Sequence, residues 1–206
     1  MLNYITVLTP TRKMIAIRST PVILQGADLK TGPSFSLSNR IYRAVWGLAW
    51  LLLFRPTPRT ANLWRRTVLR LFGAKLGRNF RIHGNCKIWA PWQLVAGDFV
   101  SVGEGVNLYN MASITIGDRA VVSQGSHLCA GSHDYNSPNF QLIAEPITIG
   151  ADAWVCTEAF VGPGVDVPAG CVLGARSVMT RTPDAGTWGV FAGNPARKIK
   201  QRQIRP

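Results

Sequence analysis

Acidic residues are scarce at both ends of this 206-residue chain. Asp28 is the only acid among residues 1–81, which contain 14 lysines and arginines and so carry a net charge of +13. Residues 181–206 carry +5, whereas residues 82–180 carry −5. The two basic ends favour phosphate-bearing partners, or simply form solvated faces. Because no nucleic-acid-reading motif accompanies the charge, we expect no nucleic-acid partner.

Cysteine is also sparse. The chain contains four cysteines, which form no CxxC pair and do not belong to a short secreted scaffold. They are Cys86, Cys129, Cys156 and Cys171. We interpret them as reduced core residues of a cytoplasmic protein.

No apolar run is long enough to cross a bilayer. The longest, residues 44–54 (AVWGLAWLLLF), is shorter than the roughly 20 residues that a spanning helix needs. We expect residues 41–54 either to cap the domain or to contact a membrane surface peripherally. Residues 1–20 lack the architecture of a signal peptide. We expect residues 1–35 to be an N-terminal extension that is disordered, or whose first 20 residues precede the natural start.

Aliphatic residues and methionine recur at every sixth position over much of the chain. The clearest run is Ile149, Val155, Val161, Val167, Leu173 and Met179. A small or short residue follows four positions after each of the first five, at Ala153, Ala159, Val165, Cys171 and Ser177. The pattern also covers residues 82–132, with two-residue slips at 94–96 and 114–116, and it is interrupted between 128 and 149.

A period of six fits neither a helix nor simple strand alternation. It fits a short strand followed by a tight turn, and three such units close a triangular coil of about 18 residues. The sequence therefore predicts an all-β parallel solenoid of about five coils. A β-sandwich would instead show strands of period two with irregular turn spacing.

Apolar residues at helical spacing precede the repeat. Residues 39–54 and 64–72 predict two helices that cover the first coil. We accordingly assign residues 36–78 to a helical cap, residues 79–183 to the solenoid with a loop at 134–148, and residues 184–206 to a C-terminal tail or short helix.

Residues 82–180 resemble the hexapeptide-repeat acyltransferases. The resemblance implies a left-handed parallel β-helix, a homotrimer with sites between subunits, and direct transfer of an acetyl group from acetyl-CoA. Three segments, LRLFGAKLG (69–77), SHDY (132–135) and GNPAR (193–197), are most similar to the sugar O-acetyltransferases of exopolysaccharide synthesis, of the colanic-acid type.

His133 matches the catalytic histidine of that family, just before the interruption of the repeat. A sugar hydroxyl attacks a thioester poorly, and a neutral imidazole can accept its proton as the new bond forms. Direct transfer needs no cysteine nucleophile, which agrees with cysteines that occupy core positions. Asp134 is predicted either to orient His133 or to bind the acceptor.

The resemblance also implies a set of residues that contact acetyl-CoA. The IGADAW segment (149–154) matches a family position where tryptophan packs near the reactive arm of the donor. The implied donor-binding residues are Trp154, Thr157, Ala175, Thr180, Arg181, Arg197 and Lys200. Arg176 departs from the pattern, where glycine is common, which puts the local contacts in doubt.

The acceptor site is less well defined by the sequence. Asn107, Tyr109 and Asn110 lie near the turns of an earlier coil, in the region where relatives bind acceptors. Asparagine also suits the tight turns of such a fold, so a purely structural role is the alternative.

Three other functions are compatible with parts of the sequence. An antibiotic or small-sugar O-acetyltransferase would share the fold and His133. A metal enzyme similar to γ-class carbonic anhydrase would need three converging histidines, and the chain has only His83, His127 and His133. A non-catalytic scaffold would not require the GNPAR tail. We expect no metal site.

Overall fold

The computed structural model describes residues 22–23, 33–184 and 186–204. Its body is a three-sided prism of short strands, and the predicted period is its building unit. The six aliphatic positions from Ile149 to Met179 are at most 3% exposed, and the small residues between them at most 1%. Each coil therefore buries its aliphatic side chains in one continuous core, while the small side chains let successive coils stack.

Three parallel sheets form the faces of the prism. The first face contains Lys75–Leu76, Leu94–Ala96, Ile114–Ile116, Ile147–Ile149 and Asp166–Val167. The second contains Arg81–Ile82, Ser101–Val102, Val121–Val122, Trp154–Val155, Val172–Leu173 and Gly189–Ala192. The third contains Lys87–Ile88, Asn107–Tyr109, His127–Cys129, Phe160–Val161 and Val178–Met179. The solenoid thus comprises five complete coils and a sixth strand on the second face.

Coil length changes along the prism. In the first coils, hydrogen-bonded partners at equivalent positions are 20 residues apart, whereas the last coils use the expected 18. The extra residues lie on the first face, where three-residue strands bury both outer side chains, as Ile114 and Ile116 do. These longer strands explain the two-residue slips in the sequence pattern.

A column of glycines lies at the corner between the first and second faces. It consists of Gly77, Gly97, Gly117 and Gly150, whose N–H groups each donate to a carbonyl of the next coil. A Cβ atom on Gly117 would lie 2.5 Å from the backbone nitrogen of Ala151. The close approach of two backbones therefore requires glycine here.

Two helices cover the N-terminal end of the prism. Helix α1, Leu37–Ala49, begins at Ser36, whose hydroxyl accepts from the Asn39 N–H, and continues as a π-helical turn, Trp50–Phe54. Helix α2, Asn62–Leu71, follows, and a 3₁₀ turn at Pro91–Gln93 precedes the next strand. The two predicted helices are confirmed.

Hydrogen bonds from two tryptophan side chains hold α1 against the first coil. The indole N–H of Trp46 donates to the Ile88 carbonyl at 2.7 Å, and that of Trp50 donates to the Cys86 carbonyl at 2.8 Å. Phe54 and Leu69 are fully buried beside them. The cap therefore closes the open end of the aliphatic core, as a terminal coil requires.

The interruption of the repeat is a β-hairpin and not an irregular loop. Gly131–His133 pairs antiparallel with Leu142–Ala144, and we call this unit the His133 hairpin. Leu142 and Ala144 are buried whereas Ile143 is half-buried, which is a period of two that a search for period six does not detect.

Part of the N-terminal extension joins this hairpin. Val22–Ile23 pairs antiparallel with Leu142–Ala144 and adds a third strand. The expectation that residues 1–35 have no fixed structure is therefore wrong for this strand, because its backbone groups find partners at the hairpin edge. The rest of the expectation for residues 1–32 lies outside the described residues.

The C-terminal tail is a strand. Arg197–Gln201 folds back antiparallel on Gly189–Ala192, with an irregularity between Val190 and Phe191. The sheets thus extend from Lys75 to Ala192, beyond the predicted limits of 79 and 183. Within the described part of the chain, no helix is long and apolar enough to cross a membrane.

All four cysteines are free thiols. Burial raises the pKa of the Cys86 thiol to about 11, and it also raises the pKa of Cys129, Cys156 and Cys171. Neutral thiols of this kind are poor nucleophiles, in agreement with a packing role.

The glycine column gives a test of coil stacking. We expect Gly117→Ala to lower the free energy of unfolding by about 1–3 kcal/mol, because the added methyl overpacks against backbone that cannot rotate away. The measurement is the urea midpoint. The matched control is Gly47→Ala in α1, where no atom lies within 4 Å of the added Cβ, so stability is unchanged or slightly raised. Equal midpoints for both variants would contradict this account.

Candidate active site

His133 is held by one contact that defines its protonation. Its Nδ1 lies 3.0 Å from the carbonyl oxygen of Phe140. Because a carbonyl only accepts, Nδ1 carries a proton in this bond, so in the neutral tautomer of the ring the lone pair is on Nε2. This is the tautomer that a general base requires.

Phe140 also fixes the plane of the imidazole. The two rings stack with centroids 4.4 Å apart and an interplanar angle of 13°. Phe140 has a positive φ of 49°, which turns its carbonyl toward the histidine side of the hairpin. The ring and carbonyl of one residue thus orient His133, and the sequence carried no signal for this contact.

Asp134 does not orient the histidine in this structure. Its Oδ1 accepts from the Asn136 N–H at 3.0 Å, and its own N–H donates to the Gln141 carbonyl at 2.8 Å. The carboxylate shapes the hairpin turn and is exposed. Of the two predicted roles, only acceptor binding is compatible with this placement.

Trp154 lies on the second face with its indole 45% exposed. Its N–H donates to the Ser123 hydroxyl at 2.8 Å, which holds the ring against the face. A cavity of about 250 Å³ adjoins it, with Arg119, Trp188 and Arg202 among its lining residues. An exposed indole beside cations is suited to contact an extended ligand.

Thr157 and Ala175 stack at the corner between the second and third faces. The Arg176 N–H donates to the Thr157 carbonyl at 2.9 Å, which places the two turns directly above one another. Arg176 itself forms an ion pair with Glu158 at 2.6 Å. The departure from glycine at 176 is thus absorbed by a neighbouring carboxylate.

A cavity of about 600 Å³ lies at the C-terminal end of the prism. Thr180, Arg181 and Arg197 all line it, so the structure brings these predicted residues together. Lys198 and Asp184 line it as well and were not predicted. Three cations against one carboxylate make this cavity suitable for a phosphorylated ligand.

Lys200 does not line that cavity. It lies on the tail strand opposite Val190 and is exposed. The family resemblance implies that Arg197 and Lys200 bind the donor, and either could contact a phosphate of CoA. The placement favours Arg197.

The three predicted acceptor residues differ in their surroundings. The amide of Asn107 lies 3.3 Å from His127 Nε2, and the Tyr109 ring packs edge-on to His127. Asn110 is fully buried, and its amide donates to the Ala90 carbonyl at 2.6 Å and accepts from the Ala90 N–H at 3.0 Å. Asn110 therefore joins two coils, while Asn107 and Tyr109 remain half-buried on the third face.

The histidines do not form a metal centre. Within residues 22–23, 33–184 and 186–204, no group of three or more His, Cys, Asp or Glu side chains could hold an ion. His127 packs between Tyr109 and Phe160, and burial lowers its pKa. His83 lies two coils nearer the N-terminus, beside Arg59.

His133 and Trp154 lie on different elements of the chain. The His133 hairpin is inserted between the third and first faces, whereas Trp154 is on the second. Three features lie at separate places around the prism: a free imidazole lone pair, an exposed indole and a cationic cavity.

This chain is similar to known proteins in both sequence and fold. No family model matches the chain. The colanic acid biosynthesis acetyltransferase WcaF of Escherichia coli strain K12 is 44% identical over 179 residues, which cover 87% of this chain and 96% of that protein.

Two solved structures share the fold. A maltose O-acetyltransferase from Clostridium difficile 630 superposes with a TM-score of 0.74 at 21% identity, over 82% of this chain and 90% of that one. A hexapeptide-repeat acetyltransferase from Vibrio cholerae, solved with acetyl coenzyme A, gives 0.73 at 22% identity, over 84% and 93%. These likenesses identify the solenoid as the left-handed β-helix of that fold. The chain belongs to the hexapeptide-repeat acetyltransferases, in the group of the colanic acid biosynthesis enzymes.

Proposed function

We propose that this protein transfers an acetyl group from acetyl-CoA to a sugar hydroxyl during synthesis of an exopolysaccharide or another cell-surface glycan. The observation that carries the proposal is the bond from His133 Nδ1 to the Phe140 carbonyl, which leaves Nε2 free as a base. The 44% identity to a colanic acid biosynthesis acetyltransferase supports the class of acceptor.

The acetyl group passes directly from the donor to the acceptor. Nε2 of His133 accepts the proton of the acceptor hydroxyl while its oxygen forms a bond to the thioester carbon. The tetrahedral intermediate then breaks the carbon–sulfur bond. The departing thiolate takes the proton from the imidazolium, so His133 returns to its neutral form and no acyl-enzyme is formed.

The donor would lie along the corner between the second and third faces. Thr157 and Ala175 line this corner, and the cavity with Arg181 and Arg197 lies at its C-terminal end. The cations would neutralise the phosphates of CoA, and the acetyl thioester would extend down the prism. Trp154 of one prism would then meet His133 of another.

We propose a homotrimer for this reason. The hairpin that carries His133 and the face that carries Trp154 lie on different sides of one prism, and a three-sided body offers three equivalent contacts around an axis. A monomer would hold both halves of the site but never together. We place the reaction in the cytoplasm, where the donor is made, at the inner face of the membrane.

His133→Ala tests the base. We expect kcat to fall by about 10²–10⁴-fold, while calorimetric titration shows acetyl-CoA bound as tightly as by the wild type. Thiol release would be measured against a panel of sugars and sugar nucleotides. His83→Gln is the control, because that histidine lies in the first coil, two coils before the strand that leads into the His133 hairpin, and should keep full activity. Undiminished transfer by His133→Ala would exclude the mechanism.

Arg181→Gln and Arg197→Gln test the phosphate site. We expect each to raise KM for acetyl-CoA several-fold, since each removes a cation from the cavity. The S-acetyl thioester of N-acetylcysteamine carries no phosphate, so its rate should be unaffected. Arg78→Gln, which removes an equal charge near the first coil, should change neither rate. Equal losses with both donors would place these arginines outside the phosphate site.

The two asparagines should separate acceptor binding from stability. Asn107→Ala should raise KM for the sugar with little change in the urea midpoint. Asn110→Ala should lower the free energy of unfolding by about 1–3 kcal/mol, because it leaves the Ala90 backbone groups unpaired in the core. Steady-state kinetics and denaturation on both variants provide the comparison. The reverse outcome would reassign their roles.

A further inference from the structure

The outer side of the helical cap is apolar. Helix α1 and its π-helical turn bury Trp46, Ala49 and Phe54 against the prism. The opposite side is neither polar nor covered in the described structure. Its side chains, between 46% and 67% exposed, are Leu37, Ile41, Val45, Leu48, Leu51, Leu52 and Leu53. A surface helix normally places polar residues there, so this side is built to contact something other than water.

Helix α2 extends this surface. Leu63, Trp64 and Leu71 are 69%, 48% and 77% exposed. The Trp64 indole N–H donates to the Leu53 carbonyl at 2.7 Å, which places the start of α2 beside the end of the π-helical turn. The ten exposed residues of the two helices therefore form one patch, which we call the cap surface.

The charge around the cap surface is of one sign. Residues 29–97 contain 12 lysines and arginines and no aspartate or glutamate. Arg40, Arg55, Arg59 and Arg70 are exposed among the apolar residues. A second copy of the same surface would bring like charges together, which costs free energy. An anionic surface would instead gain from both the apolar and the cationic groups.

We propose that the cap surface docks on an anionic phospholipid membrane. The helix would lie in the interface, with its leucines among the acyl chains and its arginines at the phosphates. Trp64 is placed where tryptophan is enriched, at the boundary of lipid and water. This inference deepens the proposed function, because it names the surface that would hold the protein at the inner face of the membrane; vesicle binding tests it separately from acetyl transfer.

Flotation of the full-length protein with vesicles tests the proposal. We expect binding to vesicles of phosphatidylcholine with phosphatidylglycerol, weaker binding at high salt, and little binding to phosphatidylcholine alone. Leu52→Gln/Leu63→Gln should weaken binding by at least about tenfold, because two large apolar side chains no longer enter the bilayer. Ile199→Gln/Ile204→Gln is the matched control, since these residues are equally exposed and lie on the C-terminal segment, outside the cap.

A second pair of variants isolates the charge. Each cation near an anionic bilayer strengthens binding roughly fivefold, so Arg40→Gln/Arg59→Gln should weaken binding about 25-fold. Arg119→Gln/Arg176→Gln removes the same charge from the sides of the prism and should lose much less. Thermal unfolding shows that each variant is folded, and transferase rates with a water-soluble sugar report the active site separately.

Two outcomes would overturn the proposal. One is the absence of vesicle binding, or an equal loss of binding in the cap variants and in their controls. The other is a change in particle mass by light scattering that appears only in Leu52→Gln/Leu63→Gln. That result would show that another copy of the chain covers the cap surface.

Discussion

The stacking of aliphatic side chains inside the prism is the interaction on which the rest of the structure depends. Each coil contributes a few buried residues, such as Leu108, Leu128 and Val161, and no coil could bury them alone. Strand pairing follows from this stacking, because coils in contact must be parallel and in register. The small side chains and the glycine column let the backbones approach closely enough to close the core. The two ends of the core must then be shielded from water by different structural elements.

The helical cap shows how a basic segment can be packed without acidic side chains. Arg65 is 1% exposed, yet its guanidinium donates to the carbonyls of Pro58 and Arg59 and to the Thr57 hydroxyl, all at 2.8–2.9 Å. Burial lowers the pKa of Arg65. Carbonyl dipoles replace the missing carboxylate and fix the connection between α1 and α2. The packing of the cap therefore needs no acidic residue from elsewhere in the chain.

Much of the fold could be predicted from the sequence, because the period of six directly reports which side chains face inward. The slips at 94–96 and 114–116 also had a structural cause, namely longer strands on the first face. The His133 hairpin could not be predicted in the same way. Its two strands pair antiparallel with a period of two, which a search for period six does not detect, and the strand at Val22–Ile23 joins them from more than 100 residues away in the sequence. The contact of Phe140 with His133 follows from that register alone.

The residues of the proposed site lie partly on the rigid faces of the prism and partly on the inserted hairpin. This arrangement has a physical reason. Outward side chains on a β-helix face are fixed in direction, which suits Trp154 and the cationic cavity that would hold a long donor. The proposed base would instead need to reach a hydroxyl away from the flat face, and the hairpin that carries His133 is an element inserted between two faces. Its imidazole keeps a defined tautomer only because the Phe140 carbonyl and ring travel on the same hairpin. The hairpin therefore carries both the proposed base and the residue that orients its imidazole, so the contact does not depend on the faces of the prism.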